Sequence, residues 1–174
     1  VAGTSGGYSG NGSLAALAKL NEPSGIALDS AGNLFIADYQ NHAIRKVTAN
    51  TGIISTIAGA ATGPEAGFEG DGNSAANARL RGPTAVAFDS QNNLFIADTG
   101  NSRIRRIAVA TGAITTVAGN GQTRFTEDNL QAQATSLSVP VSLTLDKNGN
   151  LVFADASFTS SLASRIRAVK GPLP

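Results

Sequence analysis

The feature that most constrains this chain is an internal repeat with a period of about 58 residues. The segment LNEPSGIALDSAGNLFIADYQNHAIRKV from Leu20 aligns with LRGPTAVAFDSQNNLFIADTGNSRIRRI from Leu80 and with LSVPVSLTLDKNGNLVFADASFTSSLASRIRAV from Leu137. A repeat of this length indicates that the chain consists of copies of one structural unit. Each copy buries its apolar faces against the neighbouring copies. We therefore interpret residues 1–174 as a single segment of three units, approximately 1–56, 57–116 and 117–174.

Each unit has the sequence pattern of four short β-strands. The strands predicted for the first unit are 25–29, 34–38, 43–47 and 53–58. The first alternates apolar and polar residues after Pro23, and the second, LFIAD, is a continuous apolar run that is typical of a strand buried on both faces. Four antiparallel strands in a unit of this length are typical of a β-propeller blade.

A long connection rich in glycine and alanine joins the fourth strand of one unit to the first strand of the next. We predict a surface connection anchored by Phe68 and Leu80, with one helical turn in SAANARL that Ser74 caps. The register of the repeat places Tyr8, Phe68 and Phe125 at one position of this connection.

Composition excludes several classes of function. The 13 basic and 12 acidic residues give a net charge of +1, so no global field attracts nucleic acid or an anionic membrane. The absence of cysteine excludes disulfides, thiolate metal sites and a cysteine nucleophile. No apolar run approaches the roughly 18 residues that would span a bilayer. Since methionine is absent, we expect a processed product, an excised fragment or a sequence without its natural start.

The repeated residues resemble the NHL-repeat β-propellers, particularly the long-unit bacterial type. Units one and two match that type's pattern, P-x-G-[IV]-A-x-D-x-x-G-N-L-[FY]-[IV]-A-D-x-x-N-x-R-I-R-[KR]-[VI], almost position by position. Unit three departs from it at Ser142, Thr144 and Val152 and carries an insertion before Arg165. The resemblance covers essentially the whole chain and implies an all-β fold of three four-stranded antiparallel blades. It leaves the function open, because the family includes protein-binding, RNA-binding and a few catalytic propellers.

Three blades are half of a ring of about six, the number typical of this family, and propellers close with four to eight blades. Unit three ends after its third strand, whereas the chain begins with VAGT, the tail of a fourth strand. We expect further blades of a longer chain, or other copies of this chain, to complete both edges as a ring or a filament. The expected edge residues are Val1, Ala2, Gly3, Thr4, Arg165, Ile166, Arg167 and Val169.

Arginines and aspartates recur at fixed places of the repeat. A residue present in every blade serves blade packing more often than a single ligand, so we expect structural pairs. The repeated positions are Asp38, Asp98, Asp155, Arg45, Arg105 and Arg167. Arg103 and Arg106 are less regular, and they are the candidates for contact with RNA or another polyanion. With no tryptophan and two tyrosines, the chain is short of base-stacking side chains, which disfavours nucleic-acid binding.

Other polar residues allow two interpretations. Asp29, Asp89 and Asp146 end the first strands, where they could together hold a cation or, as their repetition favours, cap the following turns. The single histidine, His42, is interpreted as a solvated turn residue that cannot supply a histidine cluster or a catalytic triad. Asn11 begins an NGS glycosylation sequon whose use the sequence leaves open.

These observations favour a non-catalytic NHL-repeat scaffold or binding module that is secreted or displayed on a bacterial surface. Its expected partner is protein, with no cofactor, no metal and no membrane span. One alternative is a fragment of a lactonase-type or lyase-type propeller enzyme whose catalytic residues lie elsewhere. Another is a propeller that binds RNA or a polyanion through its arginine face.

Overall fold

The computed structural model describes residues 2–59, 65–123, 130–157 and 164–171. The strands are β1 Ser13–Leu14, β2 Pro23–Leu28, β3 Leu34–Asp38, β4 Ala43–Val47, β5 Ile53–Ala58, β6 Pro83–Phe88, β7 Leu94–Asp98, β8 Arg103–Ile107, β9 Ile114–Ala118, β10 Val139–Leu145, β11 Leu151–Ala156 and β12 Arg165–Val169. Short 3₁₀ turns occupy Ala15–Leu17, Tyr39–Asn41, Ala75–Asn77 and Thr99–Asn101. Within the described ranges, no helix has the length and apolar character needed to cross a membrane.

The strands form three antiparallel sheets, which are the three blades, and they confirm the all-β prediction. Blade 1 has the order β1-β5-β4-β3-β2, blade 2 the order β6-β7-β8-β9, and blade 3 the order β10-β11-β12. In blade 1 the second, third and fourth predicted strands have the predicted bounds, while the first begins earlier, at Pro23. Pro23 pairs with Asp38 across a register shift, which suits a residue without a backbone N–H.

The blades pack face to face. One core cluster joins Phe35 and Ile44 of blade 1 to Val86 and Ile96 of blade 2. A second cluster joins blades 2 and 3, and includes Phe95, Ile104, Leu143 and Leu151. The innermost strands approach so closely that a Cβ at Gly25 would lie 2.5 Å from the carbonyl oxygen of Thr84, so only glycine fits there. Each blade therefore presents one apolar face to the blade before it and another to the blade after it.

A buried aspartate–arginine pair ties each blade to the connection that enters it. In blade 1 the side chains of Asp38 and Arg45 are both fully buried, with Nη1 3.3 Å from Oδ2. The other oxygen, Asp38 Oδ1, accepts a hydrogen bond from the backbone N–H of Asn21 at 2.7 Å. Arg45 Nη2 donates to the carbonyl of Ser9 at 3.0 Å. We call this arrangement of pair and connection the Asp–Arg clasp.

The clasp of blade 2 includes a second carboxylate. Arg105 Nη1 donates to the carbonyl of Arg79 at 2.9 Å, and Nη2 donates to Asp71 Oδ1 at 2.7 Å. The distance from Arg105 Nη1 to Asp98 Oδ2 is 3.8 Å. The guanidinium carbon of Arg105 lies 5.0 Å from the centre of the Phe68 ring. The connection is therefore held against its blade by charge-assisted hydrogen bonds and by an aromatic contact.

The connection before blade 2 corrects one prediction. Its helical turn is present at Ala75–Asn77, and Leu80 is fully buried. Ser74, however, makes no side-chain capping bond to this turn and instead forms a β-bridge with Ala113. Ser74 thus stands at the predicted N-cap position, but the expected capping bond is not formed. The position of Phe125 lies outside the described residues.

We expect Arg105→Lys to lower the free energy of unfolding by about 2–4 kcal/mol, because a lysine cannot reproduce the fork that bonds to two carbonyls and a carboxylate in a buried site. Urea denaturation followed by circular dichroism measures the change. The exposed Arg81→Lys is the matched control and should stay within about 0.5 kcal/mol of the wild type. Equal losses in the two variants would contradict the structural role of the clasp.

Candidate functional site at the open edge of blade 3

The outer edge of blade 3 differs from the outer edges of the other two blades. Strand β4 pairs with β5 and strand β8 pairs with β9, whereas β12 pairs only with β11 among the described strands. In blade 2 the register places Ile104 opposite Ala118. Ile166 occupies the equivalent position in β12, where the described residues supply no opposing strand. We call the side of β12 that faces away from β11 the open edge.

A cavity of about 640 Å³ lies along the open edge. Arg167 and Val169 line one side of it, Ala132 and Leu137 line the other, and Phe153 also contributes to the wall. In blade 2, β9 lies between β8 and the entering connection, where Ile114 exchanges hydrogen bonds of 2.8 and 2.9 Å with Gly72 and Asn73. The cavity therefore occupies the position that the fourth strand fills in blade 2.

Exposure of equivalent residues shows what the third blade lacks. Ile44 and Ile104 are fully buried against the blade that follows each of them, whereas Ile166 is 75% exposed. At the opposite end of the segment the exposed residue lies on the innermost strand of blade 1. Ile26 is 69% exposed there, whereas its counterpart in blade 2, Val86, is 6% exposed. Three stacked blades thus leave one apolar face uncovered at each end.

The first described residues lie on blade 1 as the end of a fourth strand would. Gly3 N–H donates to the carbonyl of Ala15 at 3.1 Å, and Thr4 N–H donates to Ala18 at 2.9 Å. Gly119 donates in the same way to the carbonyl of Ala132 at 2.9 Å. Both glycines have φ near +90°, which favours glycine. Of the predicted edge residues, Val1 lies outside the described part of the chain.

The Asp–Arg clasp is also formed at the open edge. Arg167 Nη1 lies 3.1 Å from Asp155 Oδ2 and donates to the carbonyl of Ser136 at 2.9 Å. Asp155 Oδ1 accepts hydrogen bonds from the N–H groups of Ser138 and Val139 at 2.8 and 2.9 Å. The structure thus brings each repeated aspartate together with the repeated arginine of its own blade, and the connection is already in place beside the cavity.

The aspartate of blade 2 has an unusual protonation equilibrium. Burial raises the pKa of Asp98 to about 6, although hydrogen bonds from the Arg81 N–H and from Asn101 oppose this shift. Arg105, its ionic partner, is 3.8 Å away and bonds more closely to Asp71. A carboxylate that is removed from water and only distantly paired takes up a proton more readily.

The aspartates at the ends of the first strands cap turns. Asp29 Oδ1 accepts hydrogen bonds from the N–H groups of Ala31 and Asn33 at 3.0 and 2.9 Å, and Asp89 and Asp146 repeat this arrangement. The hydrogen bond from the side chain of Asn150 holds the pKa of Asp146 below its ordinary value. Among the residues that the structure describes, no three His, Cys, Asp or Glu side chains are grouped so that they could hold a metal ion.

The two less regular arginines lie on β8. The side chain of Arg103 donates to the carbonyls of Asn101 and Asn120 at 3.0 and 2.9 Å, and its guanidinium carbon lies 3.7 Å from the centre of the Phe68 ring. These contacts join Arg103 to the connections on both sides of blade 2. Arg106 is half-buried at its strand position. Polyanion contact through these two arginines stays a prediction.

His42 lies in a turn, as predicted, but it is half-buried at the boundary between blades 1 and 2 rather than fully solvated. It ends the Tyr39–Asn41 turn with φ 51° and ψ 37°, and its Nδ1 accepts a hydrogen bond from the N–H of Gly82 at 3.1 Å. Burial lowers the pKa of His42, and the positive charge of Arg81 acts in the same direction. Sequence reasoning missed this contact because only the packing of the blades brings Gly82 to His42; the aligned Ser102 instead donates to the carbonyl of Ser138 at 3.1 Å.

Asn11 is a second residue whose role only the structure reveals. Its Oδ1 accepts hydrogen bonds from Arg45 Nη2 at 3.2 Å and from Thr56 Oγ1 at 3.1 Å. Its Nδ2 donates to the hydroxyl of Tyr8 at 3.2 Å. The alignment of Asn11 with Asp71 was the available signal, because both side chains accept from the clasp arginine. The nitrogen of the glycosylation sequon thus takes part in the clasp network.

Three stacked sheets, each tied by a clasp to the connection that enters it, define a segment of a β-propeller. Residues 80–107 match the family model for the NHL repeat, and residues 4–64 match the model for the teneurin NHL domain. The chain belongs to the NHL-repeat family.

Known proteins of this family are much longer than the chain. Human NHL repeat-containing protein 2 is 30% identical over 138 residues, which are 76% of this chain and 19% of that protein. Mouse Teneurin-1 is 38% identical over 93 residues, which are 48% of this chain and 3% of that protein. The chain therefore spans about a fifth or less of the length of these relatives.

Solved structures share the fold. An auxiliary nutrient binding protein from Bacteroides thetaiotaomicron superposes with a TM-score of 0.60 at 18% identity, over 75% of this chain and 34% of that one. A gluconolactonase from Xanthomonas campestris superposes with a TM-score of 0.50 at 18% identity, over 76% of this chain and 34% of that one. At these identities the similarity concerns the fold alone.

The raised pKa of Asp98 predicts that this residue makes the free energy of unfolding depend on pH, and that Asp98→Asn removes this contribution. The folded chain holds this proton more tightly than the unfolded chain, so the contribution of Asp98 to stability falls as the pH rises from 3.8 to about 6. The fall is on the order of 3 kcal/mol at 1.36 kcal/mol per pKa unit. The free energy of unfolding is measured for wild type and for Asp98→Asn from pH 3.5 to about 7. The change in the difference between them over this range gives the fall. Asp146→Asn is the control, and its difference should change with the opposite sign because the pKa of Asp146 is lowered.

The contact between His42 and Gly82 predicts acid sensitivity at the boundary of blades 1 and 2. The pKa of His42 is lowered in the folded chain, so its contribution to stability is lost as the pH falls through the unfolded value of 6.5. His42→Asn keeps a side-chain acceptor and tolerates the left-handed conformation, but it does not titrate. Thermal denaturation should therefore show a smaller loss of stability in this variant than in wild type between pH 7.5 and about 5.5. Identical pH profiles would contradict the role assigned to His42.

Proposed function

We propose that the chain is a non-catalytic NHL-repeat scaffold or binding module that works by joining further propeller elements at its uncovered faces and at its open edge. The observation that carries this proposal is the contrast between Ile166, which is 75% exposed, and the buried Ile44 and Ile104 at the same repeat position. An exposed apolar sheet face beside an edge strand favours association with another polypeptide. The proposal places the protein outside the cell or on its surface, which fractionation of the producing cells tests.

The element that suits the open edge is a β-strand. In blade 2 this place is taken by ITTVA, whose Ile114, Val117 and Ala118 are buried. A strand with the same apolar positions would pair along the outer side of β12 and fill the cavity of about 640 Å³. Further blades of a longer chain, or another copy of this chain, can supply such a strand.

The two uncovered faces also complement each other. Ile166 belongs to the type of face that blades 1 and 2 turn toward the next blade, and Ile26 belongs to the type that blades 2 and 3 turn toward the preceding one. A face of one type packs on a face of the other type within the chain. The same contact between two chains would join two different surfaces, which makes the interface heterologous. Its repetition gives a closed ring or an open filament.

The hydrogen bonds and ion pairs of the repeated aspartates support a non-catalytic role. The repeated aspartates either cap turns, as Asp29 does, or belong to clasps, as Asp155 does. An enzyme of lactonase or lyase type would need its reacting groups outside the described residues. No contact of the described residues favours that alternative.

Ile166→Glu tests the proposal. We expect the wild-type chain to form particles of at least two 17.5 kDa chains, and the variant to weaken association by roughly tenfold or more, because a carboxylate would be desolvated at the contact. Sedimentation velocity with native mass spectrometry measures both. Val109→Glu is the control, since Val109 is 61% exposed in the turn between β8 and β9. A wild-type chain that stays monomeric at every concentration would overturn the proposal.

A peptide separates strand completion from face packing. The sequence GAITTVAGN, residues 112–120, carries the fourth strand of blade 2. We expect it to bind the wild-type chain and to reduce association, whereas GAIPTVAGN should do neither because proline removes a ladder donor. Equal effects of the two peptides would exclude pairing at the open edge.

A further inference from the structure

A second cavity, of about 450 Å³, lies where the three blades meet, at the beginning of their innermost strands. Each blade contributes to its lining and the open edge does not. The residues used below are Glu22 and Tyr39 from blade 1, Thr84 and Thr99 from blade 2, and Val139 and Val141 from blade 3.

The serine and threonine hydroxyls around this cavity have no protons left for a ligand. Ser24 Oγ donates to the carbonyl of Thr84 at 3.0 Å, and Thr84 Oγ1 donates to the carbonyl of Val141 at 2.9 Å. The Thr84 and Thr99 hydroxyl oxygens are 2.6 Å apart, and Thr99 Oγ1 lies 2.5 Å from the carbonyl oxygen of Pro140. The protons are therefore shared among oxygens of the chain, and the hydroxyls offer a ligand only their lone pairs.

Glu22 adds a negative charge at a place where the fold does not require one. Its φ of 51° is left-handed, and the aligned residue in unit two is Gly82 with φ 53°. A left-handed conformation is unfavourable for a side chain without a local reason to adopt it, so the fold alone would favour glycine at both places. Gln40 Nε2 donates to Glu22 Oε2 at 3.3 Å and orients the carboxylate.

Tyr39 adds an aromatic face that the backbone of blade 2 holds in place. A Cβ at Gly82 would lie 2.9 Å from Cε2 of Tyr39, so the ring packs directly on the bare backbone. The aligned residues in the other units are Thr99 and Ala156, so the tyrosine is not a feature of the repeat. A carboxylate beside an aromatic face is the combination that attracts an organic cation.

We propose that this cavity binds an organic ammonium group. The oxygens present acceptors and the Glu22 carboxylate, while Val139 and Val141 supply apolar wall for the substituents of the cation. A hard metal ion such as Ca²⁺ takes six to eight oxygen ligands and gains nothing from apolar wall. A neutral polyol needs donors as well as acceptors, and the serine and threonine hydroxyls have used their protons within the chain.

Choline and its uncharged isostere 3,3-dimethylbutan-1-ol test the proposal directly. We expect choline to shift the amide resonances of Ser24, Tyr39 and Thr84 in ¹⁵N-labelled protein, with a dissociation constant on the order of millimolar. The isostere should cause no comparable shift. Glu22→Gln should weaken choline binding roughly tenfold or more, because it removes the charge and keeps the shape. Equal binding of the two compounds, or unchanged binding in Glu22→Gln, would overturn the proposal.

Further variants separate loss of binding from loss of folding. Glu22→Gly introduces the residue that unit two uses, so we expect a higher melting temperature together with loss of choline binding. Tyr39→Phe keeps the aromatic face and should retain binding, whereas Tyr39→Leu should lose it. Ile166→Glu should bind choline as the wild type does, so failure of the assembly proposal and failure of this one are distinguishable. Retained binding in Glu22→Gly would equally contradict the site.

Discussion

The structure depends on the buried arginine that each blade uses to hold the connection entering it. Arg45, Arg105 and Arg167 each bond to a backbone carbonyl of that connection and face the aspartate at the end of the preceding strand. Replacing a buried ion pair by apolar residues is often neutral for stability, so the pair matters chiefly for what it specifies. It fixes the register between a blade and a segment that comes from its neighbour, and this makes neighbouring blades interdependent.

Because neighbouring blades depend on one another, each end of the three-blade segment has an apolar face that no neighbouring blade covers. The entering connection and clasp of blade 3 are formed, yet the fourth strand that lies beside them in blade 2 has no counterpart among the described residues. The chain also covers about a third of each of the two solved structures it resembles. In the scaffold that we propose, a strand of a further propeller element would take the place of that fourth strand.

Much of the fold could be predicted from the sequence because the same local pattern of residues occurs in each of the three units. Three of four strands in blade 1 were predicted with the observed bounds, since alternation and apolar runs are local signals. The contacts of His42 and Asn11 could not be predicted in the same way. Each depends on a residue about 40 positions away whose distance only the packing of units fixes. The cavity lined by Glu22 and Tyr39 likewise exists only where three blades converge.

The sequence by itself determined the β-propeller architecture, because a repeat of this period with four strands in each unit allows few other ways to bury its apolar residues. It also marked Asp38 and Asp98 as equivalent. Only the tertiary structure decided that they differ. In blade 1 the clasp arginine meets the neutral Asn11 and stays 3.3 Å from its aspartate, whereas in blade 2 it bonds to Asp71 and lies 3.8 Å from Asp98. One changed residue in a connection thus goes with a longer ion pair in the core of blade 2.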